Sequence, residues 1–197
     1  MVISEALGYA FISTRKAGTC TLYATLQEHY SGEREGEFHA TQSLRIQPDW
    51  LVFTTCRNPL PWFVSIWWYL CHRGERGGSP YSGASLADLL GLARKSTAPV
   101  WLESQSARHR RFAPQRVLRV EHLGDDFAEL PFVAKPLELV RRNTAESGCW
   151  WDGGAWSDER LAPIERRPKL WHEYLTLRDE TGIREVYAED FERLDYA

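Results

Sequence analysis

The chain has 197 residues, 43% hydrophobic and 26% charged, the balance of a globular protein and length enough for one domain to bury a sizeable core. Its 24 basic and 27 acidic side chains give a formal net charge of -3, so no global field favours nucleic acid and an anionic ligand needs a local site. Met1-Val2-Ile3-Ser4-Glu5 lacks the basic start and apolar core of a signal peptide, and no apolar run reaches membrane-spanning length. The expectation is a cytoplasmic protein of one domain, 1–197, without a membrane partner.

In chain order, the first predicted element is a buried strand, Tyr9-Ala10-Phe11-Ile12-Ser13, where aromatic and β-branched residues cluster without helical spacing. Thr14-Arg15-Lys16-Ala17-Gly18-Thr19 forms a turn into a helix marked by Leu22, Leu26 and His29 and ended by Ser31-Gly32. A polar loop from Ser31 to Gln47 precedes a second buried strand, Leu51-Val52-Phe53-Thr54-Thr55-Cys56. Arg57 stands at its exit. Asn58 can cap the next helix, Pro59 suits its first turn, and Phe63, Trp67 and Leu70 recur at helical spacing.

Residues Gly74 to Gly83, rich in Gly, Ser and Pro, predict a loop, and Leu86 to Arg94 a helix. Arg116 to Val120 alternates as a strand, and Glu121 to Leu130 is helical up to Pro131. Trp- and Gly-rich loops follow, notably Ser147 to Asp158, before a helix near Arg184 to Leu194. Strands alternating with helices predict an α/β fold with a central, mostly parallel sheet, whose ligands sit at the carboxyl ends of the strands.

Cys20, Cys56, Cys71 and Cys149 form no C-x-x-C pair, which predicts free thiols rather than a zinc site or disulfide framework. The nine tryptophans, with doublets at 67–68 and 150–151, suit either core packing or stacking on a sugar or aromatic acceptor.

Two constellations carry chemistry. Lys16-Ala17-Gly18-Thr19-Cys20-Thr21 follows a strand and opens a helix, so backbone N–H groups, two hydroxyls and a flexible ammonium can converge on a phosphate. Its lysine precedes the glycine, unlike the Walker sequence G-x-x-x-x-G-K-[ST], which disfavours an ATP phosphotransferase. Arg57-Asn58-Pro59 leaves the next strand, with Ser65 about two helical turns on; arginine's planar fork suits bidentate phosphate contact.

The first segment resembles the 5′-phosphosulfate loop of the sulfotransferase superfamily, Pro-Lys-[Thr/Ser]-Gly-[Thr/Ser]-[Thr/Ser]-x-Leu. Lys16, Gly18, Thr19 and Leu22 are retained, while Arg15 replaces the proline, Ala17 a hydroxyl residue and Cys20 another. The second resembles that family's 3′-phosphate motif, Arg-Asn-Pro-x-x-Arg-x-x-Ser-x-x-x-Tyr, with Trp62 at the second arginine. Arg119-Val120-Glu121-His122-Leu123, Arg142-Asn143-Thr144 and Val186-Tyr187-Ala188-Glu189-Asp190-Phe191 resemble further family segments.

The resemblance implies a P-loop-like sulfotransferase fold of carbohydrate type, binding 3′-phosphoadenosine 5′-phosphosulfate (PAPS) and releasing 3′,5′-adenosine bisphosphate without a metal. It implies that Lys16, Ala17, Gly18, Thr19, Cys20 and Thr21 hold the 5′ end, and Arg57 and Ser65 the 3′-phosphate. It further implies that Asn143 precedes a loop over the nucleotide. The acceptor would be a glycan or small molecule. His39, in Phe38-His39-Ala40-Thr41, matches a His-Ala-[Thr/Ser] segment of carbohydrate-type members and is the candidate base, with Glu33, Glu35 and Glu37 as alternatives. Gln105 stands where such members place a substrate-contacting glutamine. A non-catalytic relative that binds only adenosine bisphosphate is the second expectation, motivated by Arg15, Ala17 and Cys20.

Overall fold

A computed structural model of the chain describes residues 1–35, 46–77, 80–135, 139 and 171–196, with 72–77 as backbone alone. The architecture is α/β. Its chain divides into two compact units: Met1–Ser13 with Gly18–Thr55 and Pro114–Lys169, and Thr14–Ala17 with Cys56–Ala113 and Leu170–Ala197.

The first unit carries the sheet. Its strands are β1 (Val2–Ser4), β2 (Tyr9–Ile12), β3 (Glu33–Arg34), β4 (Leu51–Cys56, whose last residue belongs to the second unit) and β5 (Arg116–Arg119), in spatial order β3-β1-β2-β4-β5. The sheet is mixed, which corrects the expectation of a mostly parallel one. β2 and β4 are parallel, with Ile12 opposite Thr54, but β1 runs antiparallel to both β2 and β3. The reason is the turn between Ser4 and Tyr9: so short a connection can only reverse the chain. Gly8 supplies its left-handed residue at φ 61°, and the Leu7 N–H donates to Ser4 Oγ at 3.3 Å.

Among the described residues, helices α1 (Thr19–His29) and α5 (Leu123–Ala128) also belong to this unit. Leu22, Tyr23 and Leu26 of α1 recur at helical spacing and are buried with Phe11, Phe53, Leu118 and Phe127. Tyr9 stacks on Phe132 with centroids 4.4 Å apart, and its hydroxyl donates to the Tyr30 carbonyl at 3.0 Å. The carboxyl ends of β2 and β4 lie side by side, the position expected of the two marked loops.

The second unit is helical: α2 (Pro59–Gly77), α3 (Leu86–Ala93), α4 (Gln105–Phe112), α6 (Leu177–Val186) and α7 (Ala188–Arg193), with short 3-10 turns at Val100–Leu102 and Trp171–Tyr174. Asn58 Oδ1 accepts the Leu60 N–H at 3.0 Å, so the expected cap starts α2 at Pro59. The helix runs on to Gly77, four residues into the stretch expected as loop. Phe63, Ile66 and Leu70 of α2 share a core with Leu89, Leu90, Ile183 and Tyr187. Ser85 with Asp88, and Thr176 with Asp179, form capping boxes that start α3 and α6. Hydrogen bonds from Ser85 hold the Asp88 carboxyl below its ordinary value. Among the described residues no helix is long and apolar enough to cross a membrane.

Candidate functional site

The turn Thr14–Ala17, Arg57, Ser65 and Gln105 all belong to the second unit. The turn is closed by the Ala17 N–H on the Thr14 carbonyl at 3.3 Å, and Lys16 takes left-handed backbone at φ 59°, a conformation that costs a lysine what it spares a glycine. Arg57 Nη1 donates to the Lys16 carbonyl oxygen at 3.4 Å, a long hydrogen bond that brings the two candidate phosphate-gripping residues together.

Helix α2 supports this turn. Trp62 is 2% exposed and its indole Nε1 donates to the Arg15 carbonyl at 2.8 Å, while its ring meets Tyr187 edge-on. One turn along, Ser65 is half-buried, and the Lys16 ammonium lies 5.0 Å from the ring centroid of Tyr69. Trp62, Ser65 and Tyr69 are spaced three and four residues apart, so they share one side of the helix. Ser65 therefore stands between the two residues that touch the turn.

At the position of the second arginine in the resembled 3′-phosphate motif stands a structural indole, and at that of the proline in the resembled 5′ loop a stacked cation. The Arg15 guanidinium lies 3.9 Å from the ring centroid of Trp101, and Trp101 lies 6.1 Å from Tyr69 at 33°. Two cations thus rest on two neighbouring aromatic faces, each contact worth roughly 0.5–1 kcal/mol near the surface. Beside them a cavity of about 10 Å³ is lined by Arg15, Trp101, Glu103 and Arg108 among others. That is room for about one water, and none for a nucleotide.

Gln105 is 1% exposed, and both ends of its amide are engaged: Oε1 accepts the Arg57 N–H at 2.9 Å and Nε2 donates to the Arg57 carbonyl at 2.8 Å. An expected acceptor contact is here a clamp on the backbone of Arg57. Gln105 opens α4, whose Ser104 cap accepts the Ala107 N–H at 3.0 Å. The Gln105 and Ser106 N–H groups donate to the two carboxyl oxygens of Asp190, at 2.9 and 2.7 Å. Asp190 is fully buried, which pushes its carboxyl above the ordinary value while the donated hydrogen bonds pull it back.

The rest of the 5′ segment belongs to the first unit. Gly18 is the N-cap of α1 at φ 71°, a conformation that favours glycine, and a Cβ there would lie 3.2 Å from the Leu123 Cδ2 side-chain end. Thr19 and Thr21 are buried and Cys20 is half-buried, while Ala17, of the second unit, has no exposed surface. His39, Glu37 and Asn143 lie outside the described residues. Glu33 and Glu35 are described in the first unit, on and just after β3.

Sequence reasoning met Trp62, Tyr69 and Asp190 only as positions in resembled segments and gave them no role in holding the site, and it did not single out Trp101. The recurrence that marks α2 was taken from Phe63, Trp67 and Leu70, yet Trp62 and Tyr69 repeat at the same period one residue earlier, a second face legible in the same helix. Nothing local announces Asp190, because its partners are more than eighty residues away. Comparison of the chain with protein-family models, with curated proteins and with solved structures gives no match.

Proposed function

We propose that the chain is a P-loop-like sulfotransferase that moves the sulfuryl group of PAPS to an acceptor hydroxyl on a glycan or small molecule. The observation that carries this reading is the hydrogen bond from the Arg57 guanidinium to the main-chain carbonyl of Lys16, which ties the two motifs together. A guanidinium and an ammonium carried on two joined segments suit a doubly phosphorylated adenosine: the first by bidentate contact, the second as a mobile point charge. Ser65, on the α2 side that bears the turn, is a third donor for the same group.

When bound, PAPS would supply the sulfuryl group. Lys16 would neutralise charge gathering on the phosphate oxygen as its bond to sulfur breaks, and Arg57 with Ser65 would fix the 3′-phosphate. The proton released as the acceptor oxygen bonds to sulfur would pass to His39, the base implied by the family resemblance, or to a carboxylate of the 33–37 run. Gly18, Thr19, Cys20 and Thr21 would offer main-chain N–H groups to the 5′ end.

The test is sulfate transfer from PAPS to a panel of sugar and phenolic acceptors, followed by mass spectrometry. Lys16→Ala is expected to lower turnover by about 100- to 1000-fold, the usual cost of removing one donor to a developing charge. Full activity in that variant refutes the assignment. Tight binding of adenosine bisphosphate with no turnover on any acceptor supports the non-catalytic alternative, for which the buried methyl of Ala17 in place of a hydroxyl is the specific motive.

A further inference from the structure

Arg57 is the first residue beyond β4. A residue leaving a strand has a main-chain N–H and carbonyl without a ladder partner, and both cost free energy if left unbonded. At Arg57 one side chain satisfies both. The Gln105 carboxamide accepts the N–H at 2.9 Å and returns a hydrogen bond to the carbonyl at 2.8 Å, as a neighbouring strand would. Such a paired contact fixes the peptide planes on either side of the Arg57 Cα. The guanidinium then moves only through its own side-chain torsions.

The glutamine is itself held. Its own N–H and that of Ser106 end on the two oxygens of Asp190, and Tyr187, three residues earlier in the chain, donates its hydroxyl to the Leu102 carbonyl at 3.0 Å. A carboxylate at the first turn of a helix is favoured by the unpaired N–H groups there and by the helix dipole. The segment 102–106 is thus tied at two points to residues 187 and 190, and its glutamine is presented to Arg57 from a fixed base. All members of this series are buried or partly buried, where hydrogen bonds are least diluted by water.

We infer that Gln105, anchored by Asp190, is the positioning residue that aims Arg57 at the 3′-phosphate of the nucleotide, so that discrimination for that phosphate depends on residues that never touch it. This rests on the sulfotransferase reading. It adds that the segment resembling the family's Tyr-x-x-Asp-Phe stretch, Tyr187 to Phe191, governs nucleotide selectivity through a two-step relay.

The test is calorimetric titration of 3′,5′-adenosine bisphosphate and of adenosine 5′-phosphate, which lacks the 3′ group. Gln105→Leu is expected to weaken bisphosphate binding by about tenfold or more while adenosine 5′-phosphate binding stays within about twofold. In an Arg57→Ala background the same change should have no further effect, because the residue it acts through is gone. Asp190→Asn, which turns one accepting oxygen into a donor facing an N–H, should give the same selective loss to a smaller degree, and serves if Gln105→Leu folds poorly. Equal loss for both nucleotides, or effects of Gln105→Leu and Arg57→Ala that simply add, overturns the inference. If the unaltered protein shows no preference for the bisphosphate, the sulfotransferase reading fails, and the aiming of Arg57 at that phosphate fails with it. The clamp is read separately by hydrogen exchange at the Arg57 amide: exchange should accelerate in Gln105→Leu, and unchanged exchange overturns the positioning role even where the nucleotide preference is present.

Discussion

The indole nitrogen of Trp62 donates to the main-chain oxygen of Arg15 at 2.8 Å, so the turn that carries Lys16 is fastened to α2 by a side chain that replaces the second arginine of the resembled motif. Phenylalanine at this position keeps the edge-on contact with Tyr187 but loses the hydrogen bond, and Trp62→Phe is expected to cost about 1 kcal/mol in urea denaturation. Restoring the motif with Trp62→Arg should cost more, because it sets a charge in a position 2% exposed. An arginine variant as stable as the phenylalanine one would show that the position tolerates the motif's residue.

Lys16 separates stability from function. Its φ of 59° is a conformation that glycine adopts freely and lysine does not. Lys16→Gly should therefore raise the thermal midpoint slightly or leave it unchanged, while the proposed sulfate transfer from PAPS should fall as far as in Lys16→Ala. A clear loss of stability in the glycine variant would mean that the ammonium on Tyr69 matters more to the fold than the backbone strain it accompanies.

How much of this was legible in the chain depends on the range of the interaction. The strand 51–56 and the start of α2 follow from local patterns, since β-branched clustering, an Asn cap and a Pro in the first turn act on neighbouring residues. Strand β1 was missed because Val2–Ser4 is too short to show a period, and missing it hid the hairpin that makes the sheet mixed. Helix α4 was missed because Gln-Ser-Ala-Arg-His-Arg-Arg-Phe has almost no apolar face; what holds it is Asp190, eighty-five positions from Gln105. The expectation that Gln105 faces an acceptor came from the resemblance alone; its amide bonds the main chain of Arg57, forty-eight positions away, and a glutamine's place in the sequence gives no clue to such a partner.

The two glycines that flank α1 differ in what a methyl group would meet. At Gly18 a Cβ is 3.2 Å from Leu123 Cδ2, a side-chain end that can yield, so Gly18→Ala pays mainly for its φ of 71° and is expected to cost about 1–2 kcal/mol. At Gly32 the Cβ would fall 2.7 Å from Val2 Cγ1 and 2.8 Å from the Leu26 carbonyl oxygen, which already accepts the N–H groups of Tyr30 and Gly32. Backbone cannot move aside without breaking those bonds, so Gly32→Ala should be the more damaging of the pair. Chemical denaturation of both variants checks the order, and a reversed ranking would mean that the helix end relaxes.

Tyr187 supplies a dependence on alkaline pH. It is buried, and burial first, with the neighbouring Asp190 charge second, pushes its phenol well above the ordinary range. A group whose folded-state pKa is raised binds its proton more tightly when folded, so its contribution is whole below the unfolded value of about 10 and is lost as pH rises toward the folded one. Stability should therefore begin to fall near pH 10, and the fall should be shallower in Tyr187→Phe, which has no proton to lose. At neutral pH that variant forgoes the hydrogen bond to the Leu102 carbonyl and should be less stable by about 1 kcal/mol. Tyr9 is raised by burial in the same direction, so a residual slope should survive in Tyr187→Phe and shrink again when Tyr9→Phe is added. Ultraviolet titration of tyrosinate in the folded protein gives the independent check: Tyr187 and Tyr9, with Tyr30 raised by burial in the same direction, should resist ionisation, and smooth titration of every tyrosine near its ordinary value would contradict their burial.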